Sequence, residues 1–240
     1  NQHRKGETGM AKTVIALHSG GLDSSVLLWW LRDQGYHDRV LPLSVHYGQR
    51  HSRELRAARE VCEAGDFPFK LVDLTSLRSV MRGSSQTDEV EVPEGHYADD
   101  NMKVTVVPNR NMLLLSVAGA YAVSQHAVSI AYAAHAGDHA QYPDCRPEFI
   151  NAMRAAFQLN HYWPTELIAP FSGMTKADIV KLGAELGVPM HLTWSCYAGK
   201  EKHCGKCGTD VERREAFYLA GIDDPTVYED SAYWETVCSK

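Results

Sequence analysis

The sequence predicts an α/β fold built on a doubly wound, mainly parallel, Rossmann-like sheet, and three observations carry that expectation. Short β-branched and leucine-rich runs alternate with stretches of helical period. The alternation begins as strand, helix, strand, helix, strand, the order that lays parallel strands between two layers of helices. A loop of glycine, aspartate and serine follows the first run directly, at the strand end where such folds bind ligands.

In chain order, "TVIAL" (13–17) reads as the first strand, and "VLLWWL" (26–31) lies on the helix after the loop. "RVLPLSVHY" (39–47) is a second strand, "SRELRAAREVCEAG" (52–65) a helix, and "FKLVDL" (69–74) a third strand without helical period. "NMLLLSVAGAYAVSQH" (111–126) reads as a helix, "AVSIAYAA" (127–134) as a strand, and "PEFINAMRAAFQLN" (147–160) as a helix. "TKADIVKLGAELG" (175–187) is a helix starting at Thr175. Residues 75–106 mix Gly, Ser, Asp and Pro without period; a stretch of this length inside a domain is expected to be a mobile active-site cover or a subunit contact.

The loop "SGGLDSS" (19–25) has the composition of an anion cradle. Gly20 and Gly21 lack a Cβ and tolerate positive φ, so a ligand can approach their backbone, while Ser24 or Ser25 suits the cap of a helix whose first N–H groups face that ligand. The Walker phosphate-loop pattern is absent from the chain.

Composition narrows the functional classes. The 240 residues are 44% hydrophobic and 22% charged, which fits a soluble globular protein. With 24 Lys+Arg against 30 Asp+Glu the net charge is −6, which argues against a nucleic-acid partner. The apolar runs are too short to cross a bilayer, and "NQHRKGETG" has no signal-peptide core, so no membrane association and a cytoplasmic location are expected. Residues 1–9 ahead of Met10 read as a tag or disordered leader; 10–190 as the nucleotide-binding α/β domain; and 191–240 as a C-terminal zinc-binding loop and helical region.

Three of the six cysteines fall within "SCYAGKEKHCGKCGTDVERREAF" (195–217). Cys204 and Cys207 form a C-x-x-C knuckle with Cys196 a loop upstream, which in a reducing compartment favours zinc. Asp210 is the fourth ligand by knuckle spacing, and His203 competes with it; a redox pair or spare thiols is the bland reading. Cys62 reads as a small core residue and Cys238 as a tail thiol.

"SGGLDSS" is the signature of PP-loop enzymes that split ATP between the α- and β-phosphates. Together with "HYGQRHSRE" (46–54), "TVVPNRNMLLLSVAGAYA" (105–122), "HAGDHAQYPDCRPEF" (135–149), "MTKADIV" (174–180) and "GVPMHLTWSCYAG" through "CGKC" (187–207), it makes the chain resemble the 7-cyano-7-deazaguanine synthase family from residue 12 to about 225. The chain departs from that family at Asp210, where a fourth cysteine is usual, and at Asn109, where glycine is usual.

The resemblance implies ligase chemistry: 7-carboxy-7-deazaguanine and ammonia become the nitrile through an acyl-adenylate and an amide, with AMP and pyrophosphate released. It implies ATP with Mg²⁺, a zinc ion and a homodimer. A paralogue that stops at the amide or joins the acid to another amine, and a tRNA-modifying adenylase with the same loop, are the alternatives. Length leaves no room for a glutaminase domain, so ammonia is expected free or from a partner. His18, Ser19, Gly20, Gly21, Leu22, Asp23, Ser24, Ser25, His46 and Tyr47 are expected to bind the nucleotide, with Asp23 holding Mg²⁺ or capping loop amides. Lys176 and Arg110 are expected to act on phosphate or carboxylate, and Asp138, Tyr142, Asp144 and Arg146 to hold the deazaguanine. The competing readings are a solvated Lys176, loop-stapling arginines and a core Tyr47.

Overall fold

The computed structural model describes residues 12–35, 39–49, 53–88, 91–198 and 201–238; the expected leader 1–9 and Arg50 lie outside them. Five parallel strands form one sheet in the order β3-β2-β1-β4-β5: β1 Thr13–Leu17, β2 Arg39–His46, β3 Lys70–Asp73, β4 Ser129–Ala131 and β5 Glu166–Ile168. The helices are α1 Leu22–Asp33, α2 Arg53–Ala64, α3 Arg110–Ser124, α4 Pro147–Phe157, α5 Lys176–Glu185, α6 Gly208–Ala220 and α7 Tyr233–Cys238. β5 has only three residues and no run long enough to stand out in the sequence; its pairing with β4 makes it a strand.

The period-two alternation of the strands sorts the core into two layers. Val14, Ala16 and Val40 face α1, α5 and α6 through Val26, Ile179, Val180, Ala216 and Phe217. Ile15, Leu41, Leu43 and Val45 face α3 and α4 through Leu115, Ala118, Ile150 and Phe157. Pro42 sits in an interior strand, where a missing N–H normally breaks the ladder. His18 donates to the Leu43 carbonyl at 3.0 Å, so Leu43 faces β1 and Pro42 faces the β3 side, where pairing begins only at Leu43.

The chain winds from β1 outward to β3 and then returns to place β4 on the other flank of β1. The sheet therefore splits its connections between β1 and β4, and the loops after those two strands open at the same edge. Within 75–106, expected as a mobile active-site cover or a subunit contact, the described residues hold two 3-10 turns, Thr75–Val80 and Asp100–Thr105. Ser84 and Gln86 donate to the Thr105 carbonyl at 3.0 and 2.8 Å, and Gly95 N–H donates to the Lys206 carbonyl at 3.2 Å.

Arg213 of α6 is fully buried and donates to Thr193 (2.8 Å), the Met190 carbonyl (2.9 Å) and Thr226 (2.8 Å), with Asp224 at 3.7 Å. It ties the segment between α5 and the cysteines to the segment after α6. Arg213→Ala strands several buried acceptors and is expected to lower stability by about 3 kcal/mol in urea denaturation.

Candidate active site

The loop after β1 closes on itself before it offers anything to a ligand. Ser19 N–H donates to Ser24 Oγ at 3.2 Å, Gly21 N–H donates to Ser19 Oγ at 3.2 Å, and Ser24 and Ser25 donate to the Gly21 carbonyl at 3.1 and 2.7 Å. The serines were expected to cap α1; instead Gly21 is the N-cap, with no side-chain cap, and both serines lie in the first turn. Their hydroxyls brace the loop, and the uncapped helix N-terminus is left for an anion. At Gly20 φ is +87°, and a Cβ would collide with the Glu54 carbonyl and come within 2.6 Å of the Ala58 amide. Only glycine lets the loop seat against α2.

The loop forms one wall of a cavity of about 240 Å³ between the ends of β1 and β4. Lys176, the first residue of α5 behind a Thr175–Asp178 capping box, reaches Asp23 Oδ2 at 2.8 Å and Glu212 Oε2 at 3.1 Å. Burial opposes both charges, yet these carboxylates and Asp138 raise Lys176, so it stays an ammonium ion. Burial also opposes Asp23 ionisation, but Lys176 and then His135 hold its carboxyl below the ordinary range. Glu212 is raised, because burial outweighs Lys176. His135 Nε2 lies 3.9 Å from Asp23 and 3.5 Å from Asp138, whose Oδ1 also accepts from Tyr97 at 3.0 Å. His18 is held neutral by burial, with its pKa lowered to about 4.

Arg110 opens α3 on the opposite wall, its guanidinium 5.5 Å above the Tyr142 ring. Among the described residues no carboxylate lies within ion-pair distance of it. Its predecessor Asn109 has φ +56°, the left-handed conformation that suits glycine best and asparagine next. Tyr142 lies 3.1 Å from Thr105 Oγ1 and 3.3 Å from the Tyr197 hydroxyl.

The fold brings together His18, Ser19, Gly21, Leu22, Asp23, Ser24, Tyr47, Arg110, Asp138, Tyr142 and Lys176 around this cavity. Gly20 and Ser25 support the loop from behind. His46, Asp144 and Arg146 do not line the cavity: Asp144 accepts the Asn111 N–H at 3.0 Å, and the exposed Arg146 donates to the His139 carbonyl at 2.8 Å. Those two are loop staples. His135, Glu212, Tyr97, Tyr197 and Glu54 were not expected as site residues, although His135, Glu54, Tyr197 and Glu212 stood inside stretches already singled out.

The second cluster lies beside the first. Ligand atoms of Cys196, Cys204, Cys207 and Asp210 all fall within 4.8 Å of one another. Cys204 Sγ is held below its ordinary range by thiol contacts from Cys196 and Cys207 and by N–H groups of Lys206 (3.4 Å) and Cys207 (3.3 Å). His203, the competing ligand, is outside the cluster: its Nδ1 lies 2.7 Å from Asp210 Oδ1, leaving Oδ2 facing Cys204 Sγ at 3.4 Å. A further group, His96, Glu215 and Cys238, is accounted for by hydrogen bonds to Glu215.

Residues 13–221 match the family model described as Queuosine biosynthesis protein QueC. The chain belongs to the QueC family. It is 50% identical over 220 residues to the 7-cyano-7-deazaguanine synthase of Marinobacter nauticus, covering 92% of this chain and 99% of the relative. It is 52% identical over 216 residues to the Hahella chejuensis enzyme of the same name, covering 90% and 93%. At fold level it resembles the structure of a 4-thiouridine synthetase–RNA complex with bound ATP (TM-score 0.51, 17% identity, 95% of this chain and 50% of that one). It also resembles the U34-tRNA thiolase NcsA of Methanococcus maripaludis with its 4Fe-4S cluster (TM-score 0.50, 14% identity, 94% and 80%).

Ser19→Ala removes a group at the cavity rim and is expected to cut turnover by about 10²-fold while leaving the unfolding midpoint near wild type. Asp23→Asn removes a carboxylate held against the buried Lys176 and is expected to cut turnover by about 10²-fold and to lower the unfolding midpoint as well, as read by steady-state kinetics beside denaturation.

Proposed function

We propose that this protein is an ATP-dependent 7-cyano-7-deazaguanine synthase, converting 7-carboxy-7-deazaguanine and ammonia to the nitrile through an acyl-adenylate and an amide. The observation that carries the reading is the pairing of walls in one cavity, with an uncapped helix N-terminus and a buried ammonium on one side and, on the other, a guanidinium with no carboxylate partner among the described residues. The relatives' names agree with it.

A carboxylate is a poor electrophile. Its oxygen attacks the α-phosphate, pyrophosphate leaves, and the acyl-adenylate then yields to ammonia with release of AMP; the same activation of the amide oxygen permits loss of water to the nitrile. Arg110 holds the acid's carboxylate, and the α1 N-terminus and Lys176 take the negative charge that develops on pyrophosphate. On this reading Asp138 and Tyr142, which line the same cavity, hold the ring edge and face of the deazaguanine, and Tyr47 contacts the nucleotide.

The donor sets fit the two expected metals. Asp23 Oδ1 is buried without a hydrogen-bond partner, the kind of free carboxylate oxygen that a Mg²⁺ ion bound with ATP would use, and Mg²⁺ would supply neutralisation of phosphate charge. Three thiolates and one carboxylate oxygen converge as a closed zinc site does, with Asp210 in place of the usual cysteine. Zinc there would be structural, fixing the 195–209 loop against the cover segment through the Glu94–Cys207 bridge. On this reading residues 10–190 form the nucleotide-binding body and 191–240 the metal-bearing region, and the protein works in the cytoplasm as a homodimer without direct nucleic-acid contact. No described helix is long and apolar enough to cross a membrane.

Mass spectrometry of full turnover mixtures with 7-carboxy-7-deazaguanine, ATP, Mg²⁺ and ammonium is expected to give nitrile, AMP and pyrophosphate. ADP with orthophosphate, or amide as the end product, would refute the proposal. Elemental analysis is expected to find one zinc per chain, weakened but not abolished relative to Asp210→Cys; a stable, active preparation with far less zinc, unchanged by chelator, would make Asp210 a helix cap only.

A further inference from the structure

The proposed reaction needs a group that no residue above supplies. At neutral pH ammonia is almost wholly ammonium, which has no lone pair for the acyl carbon, so something in the cavity has to take a proton from it. Four carboxylates line the cavity among the described residues: Asp23, Glu54, Asp138 and Glu212. Asp23 and Glu212 are paired with Lys176. Asp138 is occupied by Tyr97 and by its capping bond with His135 N–H at 3.3 Å. Glu54 has no hydrogen-bond donor and no cation within ion-pair distance among the described residues.

Its position is fixed from below. Glu54 lies in the first turn of α2, and its backbone carbonyl is the surface on which Gly20 of the phosphate loop seats, so the side chain enters the cavity next to where the nucleotide is expected. The groups that face it are Arg110 from α3, Tyr47 from the end of β2 and Tyr197 from the segment before the cysteines. Both tyrosines are neutral in the working range: burial pushes Tyr47 up to about 12 and raises Tyr197 well above the ordinary phenol range.

We propose that Glu54 binds ammonium in this cavity and accepts its proton, delivering ammonia to the activated acid. The inference rests on the acyl-adenylate reading given above. The proton passes from nitrogen to a Glu54 carboxylate oxygen, and the freed lone pair forms the C–N bond to the acyl carbon. The bond from that carbon to the phosphate oxygen breaks with its electron pair leaving on AMP, and the amide nitrogen loses its second proton to water. Burial, outweighing Arg110, raises the Glu54 carboxyl to about 7, which suits a base that takes and returns a proton near neutrality. A raised carboxyl is a base only above its pKa, so the ammonium reaction falls as pH drops through about 7.

The test compares full-length wild type with Glu54→Gln in three assays: acid-dependent ATP–pyrophosphate exchange, amide formation from ammonium, and hydroxamate formation from hydroxylamine, a weaker base that is largely neutral at pH 7. The expected result is near-normal exchange and hydroxamate formation, with ammonium-dependent amide formation down about 10²-fold and recovering as pH rises. Glu54→Asp, which keeps a carboxylate, is expected to retain more of the ammonium reaction than Gln. Unchanged amide formation would overturn the proposal. So would an equal loss in all three assays, which would make Glu54 a nucleotide or acid ligand, or a support for the fold. Failure of exchange in the wild type would overturn the activation reading itself.

Discussion

The buried Lys176 ammonium is the constraint around which the site is arranged. A lone cation at this depth would be neutralised by the cost of desolvation, and the protein prevents that with Asp23 from α1 and Glu212 from α6. Three helices that belong to different turns of the chain are thus pinned at one point, beside the loop whose amides await an anion. With two carboxylates on one ammonium the cluster carries no excess positive charge, so an attraction for phosphate has to come from the loop amides and the uncapped α1 N-terminus.

The sheet supplies the second constraint. Because β4 returns beside β1 and not beside β3, the loop after β1 and the His135–Asp138 turn after β4 face each other across a crevice. On the proposed function the chemistry would divide along it, phosphate on the β1 side and the acid with its ring on the β4 and α3 side. The cover segment and the cysteine cluster share one more boundary, where Gly95 meets Lys206 and Glu94 meets Cys207. A metal held by the cysteines would therefore stiffen the roof of the cavity without entering it.

What the sequence disclosed was local. The glycine-serine loop, the helix start at Thr175 and the cysteine knuckle each consist of residues close in the chain whose types fit one purpose, and each is found where it was expected. The contacts that complete the site are long-range: Lys176 meets Asp23 across 153 positions, and Tyr97 meets Asp138 across 41. No periodicity encodes such meetings. Ser24 and Ser25 have the composition of caps, yet the loop's own bonding turns their hydroxyls back on Gly21; Asp144 and Arg146 have the composition of ligands, and in this structure they meet Asn111 N–H and the His139 carbonyl. Three-residue β5 exists only because β4 offers it an edge.

In the proposed reaction the acid's own oxygen joins the α-phosphate of ATP. Turnover with 7-carboxy-7-deazaguanine carrying heavy oxygen in its carboxylate follows that bond directly, with the AMP and pyrophosphate weighed by mass spectrometry. AMP is expected to leave with one labelled oxygen and pyrophosphate to carry none. Label in pyrophosphate or orthophosphate, or AMP without label while amide accumulates, would contradict it.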